Sequence, residues 1–230
     1  QVFPSTRFGP PQHDWLRRVI GTTDINGRGT AHPVERQCDP FIFLDEAVFP
    51  SGQKKPFGKH PHTGLVACTL LFPHRSNPCS AWDNVRGRYG PVGSGGIYQV
   101  RAGRGLVHDE GEEETNSPGR SPVQHVCQLW FNPGVHAREE ILDTESEILL
   151  VEPEAIPEIR PGEGCGGGIG LVRVLLGEYG GRRSPAKTWK AELLLLDVYF
   201  TGFSPGAGPS REAIDLPHRN SWVYVCSAAG

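Results

Sequence analysis

Thirty glycines and 21 prolines stand in a chain of 230 residues, and that frequency of breakers constrains the fold more than any other feature. In a helix interior glycine costs about 1 kcal/mol and proline about 3 kcal/mol relative to alanine, so long helices do not survive here. What remains is short extended segments closed by turns. The strand candidates are Leu16–Thr22, one or two strands within Cys38–Ser51, Gly64–Phe72, Ile97–Ala102, Val123–Asn132, Glu147–Val151, Leu171–Leu176, Ala191–Phe200 and Trp222–Cys226. Each is bounded by Gly, Pro, Asn or Ser, and strands at this spacing predict an all-β sandwich or barrel. Pro73–Gly96 reads as a long loop or irregular hairpin, and Pro153–Gly170 as a run too rich in Pro and Gly for regular structure. The expected order is an extended arm over residues 1–15, a first β domain over 16–152, a linker over 153–169 and a second β domain over 170–230.

Charge and hydropathy remove several function classes. Lys and Arg number 23 against 26 Asp and Glu, for a net charge of −3, so the bulk surface has no basic field for direct nucleic-acid binding. The longest clean apolar stretches, Ile148–Val151 and Leu193–Leu196, are far short of the roughly 18 to 20 residues of a membrane span. Cys38, Cys68, Cys79, Cys127, Cys165 and Cys226 are scattered without a Cys-x-x-Cys pair, which favours a reducing, intracellular compartment. The chain opens on Gln1 and has no Met, so its natural start is expected to have been cleaved or left out, and an organelle reached through a removed transit peptide fits as well.

Chemistry concentrates in two short segments. Gly58-Lys59-His60-Pro61-His62-Thr63-Gly64 carries histidines at i and i+2, and an extended backbone turns both imidazoles to one side. Pro61 between them suits a sheet edge or strand end, where its missing N–H is harmless. Downstream, Gly103-Arg104-Gly105-Leu106-Val107-His108-Asp109-Glu110 sets His108 and Glu110 in the same relation, with Asp109 turned away. On neighbouring strands these pairs supply three nitrogens and one carboxylate, a donor set for one divalent first-row metal with positions left open. Fe(II) is the first choice, while Mn, Ni, Cu and Zn suit the same donors. A lone His-x-His is as readily a solvated strand face; the second pair turns the reading toward a metal.

Five blocks in order, Cys38-Asp-Pro-Phe-Ile-Phe-Leu-Asp-Glu46, His60-Pro-His62-Thr-Gly64, Ala102-Gly-Arg-Gly-Leu-Val-His-Asp-Glu110, Gln128-Leu-Trp-Phe-Asn132 and Val172-Arg-Val-Leu-Leu-Gly-Glu-Tyr-Gly180, resemble the pirin family from about Leu16 to Cys226. The resemblance implies a bicupin: two cupin-type β-barrels packed face to face, the first holding a non-haem metal, usually iron, the second without ligands. Carried over by position, the ligands fall on His60, His62, His108 and Glu110. It also implies two activities. One is quercetin 2,3-dioxygenase-type opening of a flavonol, with Glu110 as both ligand and base. The other is a non-enzymatic, metal- and redox-dependent role as a transcription cofactor in the cytoplasm or nucleus. A third reading is a scaffold subunit of a larger complex. Thr63 stands where the family has Arg, Leu65-Val66-Ala67-Cys68 where it has an aromatic-Glu-Thr run, and Gln99-Val100 where it has Trp-Met. The end at Trp222–Gly230 resembles a mid-barrel strand, so the second barrel is expected to be incomplete, with either residues missing from this chain or a protein partner covering the gap.

Other features carry plainer readings. Asp109–Glu114 reads as a solvated acidic loop rather than a store of spare ligands, and Arg101, Arg104 and Arg182–Arg183 as surface charges rather than an anion patch. Cys68 and Cys127 read as buried thiols. His74, His125, His136 and His218 lack a neighbour at ligand spacing, and Gly103 and Gly105 read as turn glycines.

Overall fold

The computed structural model describes residues 6–7, 16–20, 38–49, 58–73, 79–84, 87–112, 124–133, 142–160, 168–201, 214 and 216. The chain divides into two compact units, residues 1–154 with 189–191, and residues 155–188 with 192–230. The first unit holds strands β1 (Thr6–Arg7), β2 (Leu16–Ile20), β3 (Phe41–Phe49), β4 (His60–His62), β5 (Val66–Leu71), β6 (Cys79–Asp83), β7 (Gly87–Val92), β8 (Ile97–Arg101), β9 (Leu106–Glu112), β10 (Gln124–Phe131) and β11 (Glu147–Val151). The second holds β12 (Glu158–Ile159), β13 (Gly168–Leu176), β14 (Glu178–Tyr179), β15 (Arg182–Arg183) and β16 (Leu195–Thr201). Helix among the described residues amounts to a 3-10 turn at Pro153–Ala155 and the single residue Leu142, so the all-β expectation holds and no helix there is long and apolar enough to cross a membrane.

In the first unit a seven-stranded sheet runs β1-β2-β3-β10-β5-β8-β11 and a four-stranded sheet runs β4-β9-β6-β7, every pairing antiparallel. The core draws on both: Leu16, Ala47, Phe49, Leu71, Tyr98, Val100 and Val126 from the large sheet, Val92 and Leu106 from the small one. β5 lies between β10 and β8 and is buried at every position, which is why its sequence is apolar on both faces, Thr69 apart, rather than an alternation. β4 is an edge strand, so Pro61 lacks its N–H where no further strand needs it.

Two expectations change. Pro153–Gly170 is not devoid of regular structure: it holds the 3-10 turn, β12 and the start of β13, because β12 gains ladder bonds to β13 at Glu158↔Arg173 and Ile159↔Val172. The acidic run after His108 is not a loop at its start, since β9 continues to Glu112 by pairing with β6. Within residues 1–15, Thr6–Arg7 forms a strand that pairs with β2. The Pro73–Gly96 stretch contains the β6–β7 hairpin, with a register shift between Cys79 and Ala81. The second unit's sheet runs β12-β13-β16, beside the two-stranded β14-β15. Trp222–Cys226 and the expected gap in the second barrel lie outside the described residues.

The link from β8 to β9 takes the chain from the large sheet to the small one, and a tight turn makes it. Gly105 N–H donates to Ala102 O at 3.0 Å, Gly64 N–H to Gly103 O at 3.0 Å, and Ala102 N–H to Leu65 O at 2.9 Å. Gly103 has φ +55°, and a Cβ there would stand 2.4 Å from the Thr144 carbonyl oxygen, so only glycine fits. Gly103→Ala is therefore expected to cost at least about 2 kcal/mol of stability, measured by urea unfolding, through left-handed strain and displacement of Thr144.

Candidate metal centre

Antiparallel pairing of β4 with β9 sets His60 opposite His108, Pro61 opposite Val107 and His62 opposite Leu106. Directly opposed residues share a face with Cβ atoms about 5 Å apart, so the register alone brings His108 beside both β4 histidines. The three rings form a near-equilateral triangle, with centroid separations of 4.8 Å for His60–His62, 4.7 Å for His60–His108 and 4.8 Å for His62–His108. One ligand atom from each lies within 4.8 Å of the other two. His108 is fully buried, His62 buried and His60 half-buried.

Surrounding groups orient these rings. His60 Nδ1 lies 2.7 Å from the Gly58 carbonyl oxygen, which only accepts, so the Nδ1–H donates. His60 Nε2 then faces His108 Nε2 at 3.2 Å. The Tyr98 hydroxyl lies 3.1 Å from His108 Nδ1. Trp130 meets the His62 ring edge-on at 4.9 Å and stacks on Phe43 at 4.3 Å, and the Arg18 guanidinium lies over Phe43 at 4.4 Å. Asn84 secures β9 beside the site: its side chain accepts from Val107 N–H at 2.9 Å, and its own N–H donates to Val107 O at 3.0 Å. Thr63, in place of the family's Arg, donates to the Gly103 and Arg104 carbonyls at 3.4 Å and so ties β4 to the turn.

The donor chemistry fits a divalent ion. Metal ligation needs neutral imidazoles. Burial, reinforced by the neighbouring His60, pushes His108 down to about 4, with the Asp83 charge pulling the other way. Asp83 is fully buried and sits opposite His108 on β6, the far side from His60. Sequence reasoning passed over Asp83 because it fell in the stretch read as irregular. Tyr98 was passed over too, although a tyrosine in an apolar strand needs a partner for its hydroxyl.

The remaining candidates divide. Glu110 lies on β9 opposite Ala81, two positions after His108, and its side chain falls outside the described residues. His125 is a core residue that pairs with Glu46 at 2.7 Å, while His74, His136 and His218 lie outside the described residues. Cys68 and Cys127 are buried free thiols, as is Cys38, which burial pushes up to about 11. Arg101 pairs with Glu147 at 3.3 Å, Arg104 with Glu145, and Arg183 with Glu178 at 2.5 Å, so these arginines are matched locally by carboxylates.

A family profile described as Pirin matches residues 21–131. Over 216 residues the chain is 31% identical to a pirin-like protein of Arabidopsis thaliana, covering 94% of this chain and 58% of that protein. Over 194 residues it is 28% identical to a Pseudomonas aeruginosa protein provisionally named quercetin 2,3-dioxygenase, covering 83% of this chain and 61% of that one. The chain thus spans about 60% of the length of these relatives. A crystal structure of quercetin 2,3-dioxygenase from Acinetobacter baumannii superposes with a TM-score of 0.57 at 23% identity, over 76% of this chain and 54% of that one. That likeness bears on the fold, which is all-β and of the bicupin class.

The buried neutral His108 makes stability pH-dependent in the metal-free protein. Its folded value of about 4 lies below the ordinary 6.5, so between the two the unfolded chain binds the extra proton. Stability is complete above about pH 6.5 and falls as the pH drops toward 4, by a total on the order of 3 kcal/mol. Urea unfolding of wild type across this range is expected to show the decline, and His108→Gln is expected to flatten it.

Proposed function

The chain belongs to the pirin family, and from that premise we propose that it is a metal-dependent oxygenase of the quercetin 2,3-dioxygenase type, acting on a flavonol or a similar small aromatic. One divalent ion, Fe(II) first, is held by His60, His62, His108 and Glu110. The observation that carries the reading is the convergence of three imidazoles whose ligand atoms lie within 4.8 Å, with the Nδ1 atoms of His60 and His108 already engaged by the protein. Engaged Nδ1 atoms leave the Nε2 atoms as the ligating pair.

A bound Fe(II) supplies a redox-active Lewis acid, and Mn, Ni, Cu or Zn suit the same donors. The chain's own residues do the rest. The three imidazoles, set together by the pairing of β4 with β9, would hold the ion. Glu110 takes the proton of the substrate hydroxyl as general base. Trp130, partly exposed and in contact with the His62 ring, offers an aromatic surface beside the site for a substrate ring. Scattered cysteines without a Cys-x-x-Cys pair suit a reducing, intracellular compartment.

Elemental analysis of the wild type is expected to find close to one metal per chain, lost in the His60→Ala/His108→Ala variant, and the iron-loaded protein is expected to consume oxygen when quercetin is added. Metal without uptake reassigns the chain to a metal-dependent interaction protein read by a protein partner, and no metal in the wild type overturns the site. Trp130→Leu is expected to raise KM for quercetin several-fold at unchanged metal content.

A further inference from the structure

The His108 ring is held at both nitrogens, and the two contacts cannot keep the same proton arrangement with and without a metal. His60 carries its proton on Nδ1, given to the Gly58 carbonyl at 2.7 Å, so its Nε2 presents a lone pair. His108 Nε2 stands 3.2 Å from that lone pair. In the metal-free protein two facing lone pairs at this distance repel, and the contact is favourable only if His108 carries its proton on Nε2 and donates it to His60. His108 Nδ1 then accepts, and the Tyr98 hydroxyl at 3.1 Å donates to it. A metal held by His60 and His108 needs both Nε2 lone pairs, so His108 must then carry its proton on Nδ1. Its neighbour there must become an acceptor.

A tyrosine hydroxyl does both by rotation, whereas an amide nitrogen, a carbonyl or a carboxylate does only one. Tyr98 is 1% exposed and packed in the core with Leu71, Val100 and Leu106, and it reaches from the large sheet to a histidine on the small one. On the β5 side the row of positions paired across the sheet from it is polar, while Leu150 of β11 is opposite it on the other side. Thr69 is opposite Tyr98, Gln128 opposite Thr69 and Asp45 opposite Gln128, and the Thr69 hydroxyl donates to Gln128 Oε1 at 2.8 Å.

We propose that Tyr98 is a positioning residue that lets His108 exchange tautomers on metal binding, donating to Nδ1 in the metal-free protein and accepting from it in the metal-bound one. In net terms His108 gives up its Nε2 proton and gains one on Nδ1 by exchange with solvent, so the ring stays neutral and its proton count is unchanged. The inference rests on the metal reading above.

Nitrogen-15 NMR of the imidazoles in wild type, before and after Zn(II), tests it, with His108 assigned through His108→Gln. His125 is an internal reference, because its Nε2 faces the Glu46 carboxylate at 2.7 Å and is expected to stay protonated in both states. The expected result is His108 protonated at Nε2 without metal and at Nδ1 with Zn(II). Tyr98→Phe keeps the ring and removes the hydroxyl, and it is expected to weaken Zn(II) binding about tenfold in a chelator competition while unfolding remains cooperative. Zn(II) uptake with His108 in one tautomer throughout overturns the role of Tyr98 and leaves the metal reading standing. No Zn(II) uptake by wild type overturns the metal reading and this inference with it.

Discussion

Everything chemical in this molecule depends on one strand pairing, that of β4 with β9. It spans three residue pairs, too few to hold two strands together in water without help. The help comes from both ends. Ala102–Gly105 and Thr63 tie the start of β9 to the chain leaving β4, and Asn84 grips Val107 from the other side. With the register fixed, His60 and His108 are opposed whatever the rest of the surface does. A slip of one residue would turn His108 to the opposite face of the sheet.

The pairing also explains why the site is half protein core. His108 and Asp83 are fully buried, and Tyr98 and Leu106 lie in the main apolar cluster. A neutral imidazole tolerates that setting, and burial is the largest influence holding His108 uncharged. Further along the same interior, Arg18 binds Asp45 through two bonds of 2.8 and 2.9 Å, one route by which a buried carboxylate is tolerated. Burial still raises the Asp45 carboxyl against the pull of Arg18.

The departures from the family pattern find structural roles. Thr63 ties β4 to the turn, and Gln99 donates to the Cys68 sulfur at 3.2 Å within the fully buried part of the large sheet. Thr63 thus supports the strands that carry the triad, and Gln99 the pairing of β8 with β5, by means other than the family's usual side chains.

By itself the sequence determined the class of the fold and the identity of the histidines. Breaker frequency left only strands, and i, i+2 spacing assigns His60 and His62 to one side of any extended segment, because a strand repeats every two residues. It also marked Pro61 as an edge or strand-end residue, since that follows from local pattern. Only the tertiary structure decided which strands meet. The hairpin of β6 and β7, the extension of β9 into its acidic run and the strand at Glu158–Ile159 have weak local signals and exist through ladder bonds to partners elsewhere in the chain. For the same reason Asp83 and Tyr98 were invisible as neighbours of His108. Their place beside it is set by cross-strand register and by the packing of two sheets, and neither is written within any one stretch of residues.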